Sequence, residues 1–478
     1  MAGRLKVKKN FTEGPIFFRM ILFAIPIMLT GIMNLVYNMA DNIIVGAFSG
    51  DDTALAAVGS TSSLTNLIVN LLLGVSAGTA VVVSRFYGAG DDKKVHDTVH
   101  TAMTFSLIGG IAFAVIGLII SKPVLTLMGT RPDVIGKAVL YLRIICLGIP
   151  ASAVYNFGAS ILRSTGDSKT PLIILASTGL LNVGLNIVFV AVFHMTVEGV
   201  ALATIISQYI SALTVVIFLR ACFKRGKCFG FTFAHVGIDK PLLLQILRYG
   251  VPAGIQSAMF SISNVLITSS INEFPTTTVA ANTIAGNIDG ISYTVMNAFS
   301  QAVMTFTGQN YGAAKPKRIK KVLLFGLIEV FTFGVAISQL ELLFGRQIAS
   351  LYIAADNPNK EVIIATVIEI ITLLLTTYVL CGIMDVFSGF LRGQGYSLAP
   401  MLMSVFGICG IRIIWILTVF RIPEMHTYRG LMTSYPVSWS ITILMMATLS
   451  IFALRKLSRI FGSEEEEDKK EMIEAKNV

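Results

Sequence analysis

Leu162-Arg-Ser-Thr-Gly-Asp-Ser-Lys-Thr-Pro171 and Leu391-Arg-Gly-Gln-Gly-Tyr-Ser-Leu-Ala-Pro400 carry Leu, Arg, Gly, Ser and Pro at the same five places. They begin 229 residues apart, and Tyr87-Gly-Ala-Gly90 and Tyr311-Gly-Ala-Ala314 lie at nearly the same separation, 224 residues. Pro26 with Asn38 and Pro252 with Asn264 form a third pair, each Asn twelve residues after its Pro. The chain therefore reads as two copies of one unit of about half its length. In a membrane protein, such a repeat points to a transporter.

The membrane setting follows from composition. Of 478 residues, 54% are hydrophobic and 13% charged, and mean hydropathy is +0.76. A soluble domain carries about 25% charged residues. Apolar stretches such as 171–193 and 322–344 recur from end to end, each long enough to cross a hydrocarbon core of about 30 Å. The expected fold class is an all-α polytopic membrane protein. About twelve spans are expected, near 16–46, 54–85, 97–120, 133–162, 170–193, 197–221, 242–272, 277–310, 319–344, 362–391, 398–420 and 430–454.

A net charge of +10 raises nucleic-acid binding, but the distribution of the charge argues against it. Arg4, Lys6, Lys8 and Lys9 precede the first span; Lys93 and Lys94 follow the second, and Arg163 and Lys169 the fourth. Lys224, Arg225 and Lys227 follow the sixth, Lys315 to Lys321 the eighth, Arg392 the tenth, and Arg455, Lys456 and Arg459 the twelfth. The alternate loops are poorer in basic residues. This is a positive-inside pattern with both termini cytoplasmic, so the partner is a lipid bilayer (a bacterial-type inner membrane) and no nucleic acid is expected. The first apolar stretch runs on as a full span, which argues against a cleavable signal.

Six spans per copy give both copies one orientation, the parallel type of repeat. The expected organisation is an N-terminal six-helix lobe over 1–222 and a cytoplasmic linker over 223–240. A C-terminal six-helix lobe over 241–456 and a charged cytoplasmic tail over 457–478 follow, with the lobes facing a central cleft. Gly74 and Gly78 form a small-xxx-small pair whose counterparts at the repeat offset are Ala298 and Ala302, spacing that lets membrane helices approach closely. Gly166 and Gly395 read as helix-ending hinges, with Arg163 and Arg392 anchored at the cytoplasmic headgroups.

Catalytic chemistry is poorly supported. No GxxxxGK[ST] loop or hydrolase constellation appears, so neither an enzyme nor a cofactor is expected. The five cysteines are scattered and suggest no disulfide framework. His96 and His100 have the i, i+4 spacing that can grip a metal, but no third ligand is evident and the pair reads as a helix surface.

Several motifs, in order and partly duplicated, resemble the multidrug and toxic compound extrusion family over nearly all of residues 14–455. They are Asn38-Met-Ala-Asp-Asn-Ile-Ile-Val-Gly46, Leu55-Ala-Ala-Val58, Ser84-Arg-Phe-Tyr-Gly-Ala-Gly90, the Leu162 decapeptide and Glu198-Gly-Val-Ala-Leu-Ala-Thr204. Gly308-Gln-Asn-Tyr-Gly-Ala-Ala314 and Leu391-Arg-Gly-Gln-Gly395 continue them. The resemblance implies export of cationic or amphipathic organic compounds, small drug-like substrates, by alternating access in exchange for H+ or Na+; the chain is expected to work as a monomer.

Coupling requires a group that binds a cation differently in two conformations. An intramembrane carboxylate suits this, because its charge is costly to bury until a proton or metal neutralises it. Asp41 leads, deep in an apolar span beside Tyr37, Asn38 and Asn42. In many members of the family a first-span Asp, a fifth-span Asn and Asp, and a sixth-span Thr surround a cation. Asp41, Asn182 and Thr204 match, implying a possible Na+ site, whereas Asn186 stands where the second acid would be. Asn186 reads equally as a coupling residue or an amide bridging helices.

Asp289, Glu329, Glu369 and Asp385 are further intramembrane acids. Asp385 reads either as a coupling residue or as a packing hydrogen bond, and Glu329 as a group reaching lipid headgroups or a neighbouring helix. For the substrate cavity the polar and aromatic candidates are Asn34, Tyr37, Asn38, Tyr155, Asn156, Gln256, Met259 and Asn264, since drug-sized pockets mix apolar walls with few polar groups. The alternative to an antiporter is a lipid-linked oligosaccharide flippase of similar fold. A flippase cleft would hold several arginines, whereas Arg143 and Arg412 alone lie well inside spans.

Overall fold

The structure, a computed structural model, describes residues 11–48, 52–353 and 357–474, with backbone alone at 42, 45–48, 52–56, 62–63 and 462–474. Arg4, Lys6, Lys8 and Lys9 lie outside the described residues.

In hydrocarbon every backbone N–H and C=O must find a partner within its own segment, which leaves helices as the way for such apolar stretches to fold. The first repeat forms α1 (Ile16–Phe48), α2 (Asp52–Ala89), α3 (Asp92–Leu127), α4 (Ile135–Ser164), α5 (Lys169–Asn186) and α6 (Val197–Lys224). The second forms α7 (Lys240–Ile271), α8 (Thr276–Gly312), α9 (Pro316–Leu351), α10 (Lys360–Leu375) and α11 (Val379–Gly393). Short helices α12 (Leu398–Ser404), α13 (Ile411–Leu417) and α14 (Tyr428–Met432) lead to α15 (Ser434–Glu474), so the backbone of the acidic tail continues the last helix as far as Glu474.

Among the described residues, ten helical segments are long and apolar enough to cross a membrane, and α10 with α11, bent by 42° at a short break, makes an eleventh. α8, at 37 residues, is long enough but carries Asn282, Asn287, Asp289, Asn297 and Gln301, so composition alone does not count it. Each of the twelve expected stretches coincides with one of these helical segments.

The chain divides into two compact units. One comprises Ile25–Val83 and Asp91–Ser261; the other takes the chain up to Ala24, Ser84–Gly90 and Ile262–Val478. The first stretch of α7 thus packs with the helices of the first repeat, although its sequence belongs to the second. The reason lies in α2, where Gly74 and Gly78 rest against Gly254 and Gly250 of α7 with no room for a methyl group at either contact. Two glycine pairs at four-residue spacing let these backbones touch.

The repeated decapeptides are matched helix ends. Gly166 and Gly395 have φ of +95° and +86°, a left-handed conformation that favours glycine. The next amides, of Asp167 and Tyr396, donate to the carbonyls of Leu162 and Leu391, each at 2.9 Å. Both are the six-to-one closures of a Schellman cap. The repeated Tyr-Gly-Ala motifs also meet: Gly88 lies on the Gln309 backbone and Gly312 on that of Arg85, while the Arg85 guanidinium stands 4.3 Å from the centre of the Tyr311 ring.

Arg163 and Arg392 are both half-buried at their helix ends, where the Arg163 charge acts on Tyr155 and the Arg392 charge on Asp385. Of the two places expected for Glu329, the structure gives the one among helices: it is fully buried on the inner stripe of α9 formed by Gly326, Val330 and Gly334.

Candidate functional site

Asp41, Asn182, Asn186 and Thr204 converge within the unit built largely from the first repeat. Asn186 is fully buried and its Nδ2 donates to Asp41 Oδ1 at 2.5 Å. The same nitrogen donates to Asn182 Oδ1 at 3.3 Å, and Asn182 Nδ2 reaches Thr204 Oγ1 at 3.5 Å. Asn186 Oδ1 has no hydrogen-bond partner among the described residues.

Local structure explains the convergence. Asn182 and Asn186 are one helical turn apart and so share a face of α5. Directly after Asn186 the helix widens into a π turn over Ile187–Val192, a form found mostly as single turns and frequently at functional sites. Tyr37 and Asp41, also one turn apart, present the same face of α1 to α5. The Tyr37 hydroxyl donates to the Ala176 carbonyl at 3.1 Å, and its ring fills the space where a side chain on Gly179 would stand. Gly179 is a part of the site that motif reading missed. Its signal is a glycine one turn before Asn182 on the same helix face.

The remaining cavity candidates separate into packed and open groups. Tyr155 donates to the Pro171 carbonyl at 3.1 Å and Asn156 to the Ser152 carbonyl at 2.9 Å, so both take part in joining or stabilising helices. Gln256 is buried and Met259 half-buried, while Asn34 and Asn38 are exposed. Those residues share the unit containing Asp41. Asn264 lies in the other unit, exposed, and accepts from Arg412 Nη1 at 3.4 Å.

Asp385 stands apart from the Asp41 cluster, buried on α11 in the other unit. Its carboxylate takes a hydrogen bond from Asn297 and faces the Arg392 charge. Asn297 in turn accepts from Gln301 at 2.8 Å. Glu341, which the sequence reading passed over, is buried and accepts from the Ser292 hydroxyl at 2.7 Å. Neither oxygen of Glu329 has a hydrogen-bond partner among the described residues. Glu369 is exposed instead and pairs with Arg429 at 2.6 Å.

The MatE family signature matches residues 26–188 and 252–418, the two repeats in turn. The chain belongs to the MatE family. It is therefore a multi-pass membrane transporter and not an enzyme. Among relatives, a probable multidrug resistance protein YoeA of Bacillus subtilis is 29% identical, covering 91% of this chain and 94% of its own. A probable multidrug resistance protein NorM of Thermotoga maritima is 25% identical over 82% of this chain and 83% of its own. In fold, the chain resembles a MOP superfamily transporter from Pyrococcus furiosus with a TM-score of 0.86. That structure is 22% identical and covers 94% of this chain and 98% of its own. MatE membership accounts for the doubled motifs and the two six-helix repeats.

Proposed function

We propose that this MatE protein is a secondary multidrug exporter that moves amphipathic organic cations outward in exchange for protons, with Asp41 as the coupling group. The observation that carries the choice of ion is the position of the Asn186 amide. Its NH2 group takes the facing oxygens of both Asp41 and Asn182, the oxygens that a Na+ ion would need. An acid at position 186 would bring an oxygen and a second negative charge to that point, whereas the amide brings donors. With its donors turned inward, the amide favours a carboxylate that gains and loses a proton over a Na+ site. Rotation of the Asn186 amide would turn its unpartnered Oδ1 toward a protonated Asp41, so either protonation state has a hydrogen-bonding partner.

Multidrug export is supported by the multidrug resistance proteins among the relatives, and the cargo class by the mixture of Tyr37, Met259 and neutral amides among the cavity candidates. The charge pattern supports cytoplasmic termini, and a single two-lobed chain supports a working monomer. A flippase reading gains nothing from the basic residues. Arg412 is spent on Ser438 and the Tyr435 ring, 3.9 Å from its centre, and Arg143 donates to Ser121 at 3.3 Å.

The deciding test is ethidium accumulation in everted vesicles given a pH gradient alone, a Na+ gradient alone, or neither. Uptake with the pH gradient alone is expected. Equal uptake under all three conditions would sink the antiporter reading, and uptake with Na+ alone would replace the proton.

A further inference from the structure

The linker between the repeats is fastened to α3, and the fastening brings three imidazoles together. The Phe231 amide donates to the Leu219 carbonyl at 3.1 Å, and its ring stacks on His100 with centroids 5.0 Å apart. The Thr232 amide donates to His100 Nε2 at 3.0 Å, and the Asp239 amide to Thr101 Oγ1 at 3.1 Å. Between these anchors His235 is carried to the start of α3. Ring nitrogens of His96, His100 and His235 then lie within 4.8 Å of one another. His235 brings the third imidazole that the pair on α3 lacked in sequence.

We infer that His96, His100 and His235 form a binding site for one borderline first-row divalent cation of the Zn2+ type. Two features prepare the site beyond proximity. His100 Nδ1–H donates to the His96 carbonyl at 2.9 Å, and His96 Nδ1–H faces Asp97 Oδ1 at 3.4 Å. In metal centres a ligating histidine gives its other ring N–H to a backbone carbonyl or carboxylate, which fixes the tautomer and leaves the far nitrogen for the ion. Both α3 histidines have that arrangement, with Nε2 as the ligand atom.

Zn–N bonds of about 2.0–2.1 Å place tetrahedral nitrogens about 3.4 Å apart, so the ligands must close by rather more than an ångström. His235 can supply that movement because it is exposed at the end of a three-residue turn. The ion also takes His100 Nε2 from the Thr232 amide, exchanging one hydrogen bond for a metal bond. Three imidazole nitrogens with a single outer carboxylate disfavour the hard, oxygen-seeking Ca2+ and Mg2+ and suit ions that prefer nitrogen. A solvent molecule would complete the tetrahedron, and the bound ion would fasten the linker to α3.

The test uses full-length, tag-free protein in detergent, stripped of metal and titrated with Co2+, whose ligand-field absorption reports tetrahedral binding. One Co2+ per chain is expected, displaced by Zn2+ but not by Mg2+. His235→Ala and His96→Ala should each abolish that absorption, and Asp97→Asn should weaken binding about 10- to 100-fold. His235 is exposed, so unchanged thermal unfolding of metal-free His235→Ala separates loss of a ligand from loss of the fold. Absence of binding at millimolar metal, or binding untouched by both alanine substitutions, would overturn the inference. None of these readouts depends on transport.

Discussion

The two repeats share a backbone plan and differ in how they house negative charge. In the first, Asp41 is held by an amide pair on one helix face, with Thr204 beyond it. Its counterpart in the second repeat, at the spacing set by Pro26 and Pro252, is the buried Ile267. The second repeat keeps its acids elsewhere. Asp385, Glu329 and Glu341 replace Asn156, Phe105 and Gly117 at the repeat offsets. Asp385 faces Arg392 and Glu341 a hydroxyl, while Glu329 has no hydrogen-bond partner among the described residues. The matched parts, glycine caps and glycine contacts, hold helices together; the unmatched parts are the places where charge can do work.

That contrast can be broken by neutralising one acid in each unit. Asp41→Asn should reduce ethidium uptake to that of vesicles lacking the protein, whereas Asp385→Asn should retain a measurable share because Asn297 still has an amide to bond. Equal loss in both would end the asymmetry. Asn186→Asp is the next largest change, expected to convert uptake driven by protons alone into uptake that responds to Na+. An unchanged ion requirement would remove Asn186 from the argument.

Gly179→Ala forces the Tyr37 ring away from α5. Overpacking of this kind costs about 1–3 kcal/mol, and it should lower thermal stability and reduce uptake in parallel, because Tyr37 and Asp41 share one face. Glu329→Met tests the opposite sign. An unpaired buried polar group costs about 1–3 kcal/mol, so the apolar replacement should stabilise the protein by about 1 kcal/mol. A stabilised variant that also stops transporting would give Glu329 a coupling role.

Much of the architecture was legible because the repeat is written in residues with few conformational alternatives. Gly166 and Gly395 mark left-handed caps, and runs of apolar residues near twenty long leave helix as the outcome. The Asp41 cluster was legible in part: one-turn spacing places Asn182 and Asn186 on one face, and the family resemblance supplies Asp41 and Thr204. What stayed hidden depends on contacts between distant segments. The spacing of Gly250 and Gly254 allows a close approach without saying that α2 makes it, and Gly179 does not announce Tyr37 as its partner. His235 sits 135 residues beyond His100, and no spacing rule reaches that far.

The docking of α7 on α2 has a consequence for the integrity of the chain. Gly74 and Gly78 already grip Gly250 and Gly254, and residues 231–239 are tied to α3 and α6 on the near side of the linker. A nick at Gly237, an exposed position, would leave both new ends held by contacts that do not need the severed peptide bond. Covalent continuity through the linker is thus mechanically redundant, and the two halves could be supplied as separate polypeptides that find each other through a pair of glycine steps.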